Sequence, residues 1–303
     1  MEPFGIDEAW LDVTHSQKLF GTGEEIAHKI REGVKARFGI TVSVGVSFNK
    51  TFAKLASDYK KPDAVTVFSP ENWRERIFPL PVGALLFVGH SSEEKLGRMG
   101  VKTIGDLAAL DRGFLQNAFG KVGEGLYEAA NGLEESAVAH FGEREELKSV
   151  GNSITFPRDL IGEEDLRVGL RALADKVAGR LRRHGLYAEC VSVSVKDTAL
   201  CVRSKQHTLA SPTDVSDELF DAAWKLLLTF WDFKKPVRAL GLCANRVGTE
   251  PGARQMSLLE GAGDEHLRTR RTNREGAVDR IRARYGKSAI GSGALLNNDL
   301  ELE

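Results

Sequence analysis

Two acids stand side by side inside a short apolar run, Gly5-Ile6-Asp7-Glu8-Ala9-Trp10-Leu11-Asp12. Carboxylates in such a setting are costly to bury unless a cation or another partner compensates them. A dication is one compensation: hard oxygen ligands on a strand edge suit Mg²⁺, which in phosphoryl transfer lowers the nucleophile's pKa and neutralises charge on the transferred phosphate. A strand end with solvated acids is the other, and one acidic pair does not complete a two-metal site. Further on, Lys61-Pro62-Asp63 reads as a turn, and Lys61 by itself reads as an exposed turn lysine. Asn49, Lys50 and Lys54 precede it on a loop and helix, where solvent-facing support and substrate contact are both open to them.

The elements that position these residues follow from spacing. Ile6 to Val13 makes a short strand interrupted by its acids. Thr22 and Glu25 form a capping-box pair that opens a helix with Ile26, Ile30, Val34 and Phe38 on one stripe, and Gly39 closes it. Ile40 to Val46 alternates as a half-buried strand does. A helix from Lys50 to Asp58, the Lys61-Pro62-Asp63 turn and a strand at Ala64 to Phe68 follow, so the order predicts an α/β sheet layer over residues 1–79.

From Leu80 to Ala139 the pattern becomes short helices separated by glycines, an all-α unit. Within it, Glu93 to Ala108 gives two helices joined at Gly100-Val101-Lys102, with Thr103 placed to cap the second, the shape of a helix-hairpin-helix. Hairpins of this kind present backbone N–H groups to phosphate without reading bases, though a protein-packing helical hairpin has the same pattern. Residues 140–147 are polar and read as a linker. A strand near Lys148, a helix Glu164–His184 with Leu166, Leu170, Leu173, Val177 and Leu181 on one face, and alternation at Val191, Val193 and Val195 come next. A partner strand at His207–Leu209, a helix Ser216–Leu228 and a strand Val237–Cys243 complete a βαββαβ-like α+β unit over residues 148–248. The tail, residues 249–303, is Gly-rich and charged until a helix at Glu275–Tyr285.

Bulk properties narrow the function. No apolar stretch approaches the roughly 20 residues a bilayer span needs, and no signal pattern opens the chain, so a cytoplasmic setting without a membrane partner is expected. Cys190, Cys201 and Cys243 show no C-x-x-C spacing and read as buried, reduced thiols. The net charge of −1 is unevenly spread. Residues 1–147 hold 17 Lys+Arg against 22 Asp+Glu, residues 148–248 hold 16 against 12, and residues 249–303 hold 9 of each. A basic middle behind an acidic front is compatible with phosphate contact in one part and cation binding in the other. Lys148, Arg158, Lys196, Arg203 and Lys205 could track nucleic-acid backbones, although each alone reads first as a solvated surface charge.

The run EPFGIDEAWLDVT resembles the palm motif of Y-family translesion DNA polymerases, in the DinB branch, with Gly5 at the usual Ser. SVGVSFNKTFAKLASDYKKPDAVTVF is similar to that family's second palm motif, with Ala64 at the Gly of K-P-D-G. The helix-hairpin-helix resembles its thumb, with Phe87-Val88-Gly89-His90-Ser91 departing from a G-V-G-K-K form. KSVGNSITFPRDL, Gln206 to Pro212 with Thr213-Asp214, and PVRALGL resemble its little finger. The resemblance implies a multidomain α/β and α+β chain with a partial palm, a thumb, a little finger and a tail. It implies template-directed synthesis past damaged bases, with primer-template DNA and deoxynucleoside triphosphates as partners and two Mg²⁺ ions in the complete site. Asp7 and Glu8 would be catalytic acids at those metals, and Lys61 would hold the incoming triphosphate. Gly89, Gly100, Lys102 and Thr103 would contact DNA with the basic residues above. Gln255-Met256-Ser257-Leu258-Leu259 looks like a sliding-clamp-binding peptide, Q-x-S-L-F or L. The family's first palm strand, with its metal-binding aspartate and aromatic gate, and its fingers are not found ahead of Met1. An N-terminally incomplete catalytic centre is therefore expected, and a non-catalytic DNA-binding and clamp-binding protein is the alternative.

Overall fold

A computed structural model describes residues 1–143, 146–250, 262–295 and 299–300. Two compact units, 1–144 and 145–303, divide the chain.

Unit 1 opens with a hairpin. Strands β1 (Glu2–Phe4) and β2 (Glu8–Trp10) pair antiparallel, Phe4 opposite Glu8. The Ile6–Val13 run is thus not one strand: Gly5 at φ 74° turns the chain and puts Ile6 and Asp7 in the bend. The ring centroids of Phe4 and Trp10, 4.5 Å apart, close the hairpin. A single turn, α1 (Gln17–Phe20), leads to α2 (Gly23–Phe38), whose Thr22–Glu25 capping box and left-handed Gly39 end are as the sequence predicts. The apolar stripe is also there, but it loses cover along its length: Ile26 is 9% exposed and Phe38 66%.

Strand β3 (Val44–Val46) pairs in parallel with β4 (Val65–Val67). Each has three residues, so the expected layer appears as two separate two-stranded sheets rather than one. Helix α3 (Lys50–Tyr59), capped by the Asn49 side chain, lies directly on β3. Gly45 makes that approach possible, because an added Cβ would stand 1.9 Å from the Ala53 carbonyl oxygen. Phe52, Leu55 and Ala56 of α3 are buried, and Phe52 packs on Trp73 at 4.9 Å. Trp73 begins α4 (Trp73–Ile77), and the same core continues into α5 (His90–Arg98), α6 (Ile104–Ala108), α7 (Arg112–Phe119) and α8 (Lys121–Ala130) through Leu96, Ile104, Leu107, Leu115 and Leu126.

Unit 2 holds one antiparallel sheet. Its strands are β5 (Ser149–Leu160), β6 (Tyr187–Asp197), β7 (Val202–Thr213) and β8 (Val237–Gly248), in the order β5-β8-β6-β7. The last strand therefore inserts between the first two. Helices α9 (Gly162–His184) and α10 (Ser216–Leu228) cover one face. The α9 stripe is buried throughout, as are Val191, Val193 and Val195. Strand β7 is much longer than His207–Leu209, since the tight turn at residues 198–201 lets it pair with β6 from Val202 onward. Cys201 lies at that turn and is exposed, Cys190 is buried and Cys243 half-buried, so the expectation of three buried thiols holds only for Cys190. The tail helix, α11 (Ala262–Tyr285), starts earlier than Glu275. Ion pairs dock it: Arg182 of α9 meets Glu275 at 3.1 Å and Asp279 at 2.5 Å, and Arg282 meets Asp175 at 2.9 Å.

Candidate functional site

The hairpin is fixed to α3 by three polar contacts. Trp10 Nε1 donates to the Lys50 carbonyl at 3.0 Å, Lys50 Nζ pairs with Glu2 at 3.1 Å, and Lys54 Nζ pairs with Glu8 at 3.0 Å. Lys54 reaches back to Asp58 of its own helix at 2.7 Å, and Asp58 meets Lys61 of the turn at 2.5 Å. Glu8, Lys54, Asp58 and Lys61 therefore form one alternating line of charge across elements 53 residues apart in sequence. Burial opposes charge on Lys54, yet hydrogen bonds to Asp58 and Glu8 outweigh it and raise its pKa. Burial likewise opposes charge on Asp58, but hydrogen bonds from Lys54 and Lys61 prevail and hold its carboxyl below the ordinary range.

Asp7 is exposed at the hairpin bend, one residue from Glu8. The two carboxylates are of the donor type a hard dication takes, and they supply part of the oxygen set such an ion needs. Among the described residues there is no group of three or more Asp, Glu, His or Cys side chains able to hold a metal. Asn49 and Lys50, both open to substrate contact by sequence, are used structurally, the first as helix cap and the second against Glu2. Asp58 was not singled out by the sequence. Its i,i+4 spacing from Lys54 and i,i+3 spacing to Lys61 were the available signal.

In the helical part, α5 follows exposed Gly89, an N-cap position that supplies no side-chain cap to the first N–H groups of the helix. Thr103 caps α6 instead: its hydroxyl accepts from the Asp106 N–H at 3.1 Å, and Asp106 accepts from the N–H groups of Thr103 and Lys102 at 2.9 and 3.0 Å. Gly100, at φ 85°, sits in open space in the joining turn. Phe87 takes φ 69° and is 74% exposed at the loop before α5, where the similar motif has glycine.

The five basic residues of unit 2 fall into different settings. Lys148 is exposed just ahead of β5. Lys196 pairs across from Val202 and Ala239, on the sheet face that also carries Gly151, Ser153, Ser192, Ser194, Gly241 and Cys243 around a shallow groove. Arg203 and Lys205 stand opposite Val195 and Val193, on the face that carries the helices, and both are exposed at the outer strand. Lys205 donates to Thr229 at the end of α10 at 3.4 Å. Arg158 is held by Asp165 and Asp299 at 2.5 and 2.6 Å, and the Asp165 and Asp299 carboxylates keep it charged. Residues 255–259, the clamp-peptide candidate, lie outside the described residues.

Residues 1–58 match the family described as impB/mucB/samB, residues 147–258 match its C-terminal domain, and residues 86–134 match the thumb domain of DNA polymerase iota. DNA polymerase IV of Acetivibrio thermocellus is 43% identical over 98% of this chain and 74% of its own length. The chain belongs to the DNA polymerase IV branch of the Y-family. DNA polymerase IV 2 of Bacillus subtilis is 33% identical over 96% of this chain and 70% of its own length. A Y-family Dbh–Dpo4 polymerase chimera has the same fold, with a TM-score of 0.63 and 22% identity over 78% of this chain and 68% of its own. Y-family members are DNA-directed DNA polymerases, nucleotidyltransferases that work with a divalent metal. No helix among the described residues is long and apolar enough to cross a membrane.

Proposed function

We propose that the chain carries out template-directed DNA synthesis past damaged bases from deoxynucleoside triphosphates, with Mg²⁺ as the metal, in the cytoplasm. In this reading residues 1–79 act as a partial palm, 80–139 as thumb, 140–147 as linker, 148–248 as little finger and 249–303 as a tail with the clamp peptide Gln255–Leu259. The observation that carries it is the charge line from Glu8 to Lys61, which joins the two palm-like motifs into one polar surface. Asp7 and Glu8 would hold metal, and a bound Mg²⁺ supplies Lewis-acid stabilisation of charge on the transferred phosphate. Lys61, tied to the exposed Asp58, can exchange that partner for a triphosphate oxygen at little cost, since surface ion pairs of this kind are weak. Lys54 keeps Glu8 oriented. The uncapped N–H groups after Gly89, together with Gly100, the Lys102 ammonium and the Thr103 hydroxyl, would take DNA phosphates, as would Lys148, Arg158, Lys196, Arg203 and Lys205. Of these, Lys196 is best placed, on an open sheet face whose small residues let a duplex come close. Arg158 would first have to leave two carboxylates.

Primer extension with Mg²⁺ and all four deoxynucleotides tests the proposal, with Asp7→Ala/Glu8→Ala as control. Extension by the chain and its loss in the folded control is the expected result. A second reading, a DNA-binding and clamp-binding protein without catalysis, is favoured by the small donor set of Asp7 and Glu8. A folded chain that binds primer-template and a sliding clamp but extends nothing would establish it instead.

A further inference from the structure

The turn that carries Lys61 is gripped from two helices. From α3, Asp58 holds the Lys61 ammonium. From α2, Arg31 Nη1 donates to the Asp63 carbonyl at 2.9 Å and stands 3.6 Å from its Oδ1, while Lys35 Nζ meets Oδ2 at 2.6 Å. Asp63 itself takes φ 53°, a left-handed conformation that aspartate adopts more readily than most residues and that these contacts hold in place. The next residue, Ala64, accepts from the Val44 N–H at 2.9 Å and starts the pairing of β4 with β3. The backbone two residues after Lys61 is therefore pinned by α2 on one side and by the sheet on the other. The hydrogen bond from Lys35 also holds the Asp63 carboxyl below the ordinary carboxylate range, so the contact is to the ionised acid.

We infer that Arg31 and Lys35 are positioning residues for nucleotide binding: acting on Asp63, they fix the turn so that the Lys61 ammonium is already in place when a triphosphate arrives. Neither touches the nucleotide. This rests on the reading of Lys61 as the triphosphate lysine. Their contribution is to remove a cost, because a lysine on an unpinned turn must be ordered at the moment of binding. The sequence pattern alone hides the link, since 28 residues separate Lys35 from Asp63.

The test is binding of a complementary deoxynucleoside triphosphate with Mg²⁺ to the full chain on a dideoxy-terminated primer-template, by titration calorimetry, in Lys61→Ala, Lys35→Ala, Lys35→Arg and Arg31→Ala. The dideoxy end keeps the measurement independent of turnover. Lys61→Ala and Arg31→Ala should each bind the nucleotide about tenfold more weakly, Lys35→Ala about threefold more weakly, and Lys35→Arg near the unaltered level, all with unchanged affinity for the primer-template. Lys35 is 59% exposed in its side chain, so its loss leaves the fold intact even if Arg31→Ala does not fold. Weak binding in Lys61→Ala with full binding in Lys35→Ala overturns the inference alone. Full binding in Lys61→Ala, or none by the unaltered chain, overturns the reading of Lys61 and the inference with it. Weakening of DNA and nucleotide binding together in the α2 variants would mark them as merely structural, and that also overturns it.

Discussion

Unit 2 is built around a sheet of strands 11 and 12 residues long lying under two helices, whereas the front of unit 1 consists of three-residue strands, one pair packed against α3 and the other tied to it by ion pairs. In unit 2 the helix stripe and the strand alternation meet in one core, and nearly every apolar position they define is buried. In unit 1 the deep core belongs to α3 and the helices after it, while α2 buries only Ile26 and Ala27 and leaves Phe38 at its end largely open. The contrast separates two jobs. Apolar burial, worth about 1.5–3 kcal/mol per large side chain, fixes the scaffold. Charged contacts at the candidate site are individually weak, and they set geometry rather than stability.

The comparison can be broken most forcefully in the unit 2 core. Phe156→Ala should remove about 3–5 kcal/mol and lower the midpoint of the unit 2 transition in calorimetry, leaving that of unit 1 in place. Equal losses in both transitions would show that the two cores are not separate. Next is Gly45→Ala, where the added methyl must push α3 off β3. A loss of about 3 kcal/mol in unit 1 is expected, together with weakened nucleotide binding because Lys54 and Asp58 ride on that helix. Phe87→Gly should act in the opposite sense, since glycine tolerates φ 69° and the exposed ring contributes no core. A gain of about 0.5–1 kcal/mol in thermal stability is expected, and a loss would mean the ring has a structural partner.

The smallest effect tests the charge line. Asp58 has its folded-state pKa below the ordinary 3.8, so its contribution is present above that pH and fades as pH falls through the native value. Lys54 has its pKa above the ordinary 10.5, so its contribution is present below that pH and is lost as pH rises through the native value. Asp58→Asn should therefore cost about 0.5 kcal/mol between these limits, discounted for exposure, and the difference from the unaltered chain should shrink toward pH 3 in thermal melts. A difference that persists in acid would place the effect outside the ion pairs.

Local signals were the legible ones. The Thr22–Glu25 box, the Thr103 cap, the Asn49–Lys50 helix start and the α9 stripe each depend on residues within a turn or two of one another, and each formed where spacing put it. The family was legible as well, because its two palm-like motifs are long and contiguous. The run through Asp7 forms a hairpin rather than one strand because a short apolar run does not show where one glycine at positive φ reverses the chain. Likewise the basic residues of the little finger looked alike in sequence. Strand parity put Lys196 on the open sheet face and Lys205 on the helix-covered one, and two aspartates, one of them more than 140 residues away, claimed Arg158.

The amino-acid sequence by itself determined the family, the capped helix ends at Thr22, Gly39 and Thr103 and the apolar faces, since these rest on near-neighbour chemistry and periodicity. Only the tertiary structure decided which carboxylate meets which ammonium. Ion pairs have no sequence period, and Glu8, Lys54, Asp58 and Lys61 come into line, with Arg31 and Lys35 behind the turn, only after the hairpin, α2 and α3 have packed.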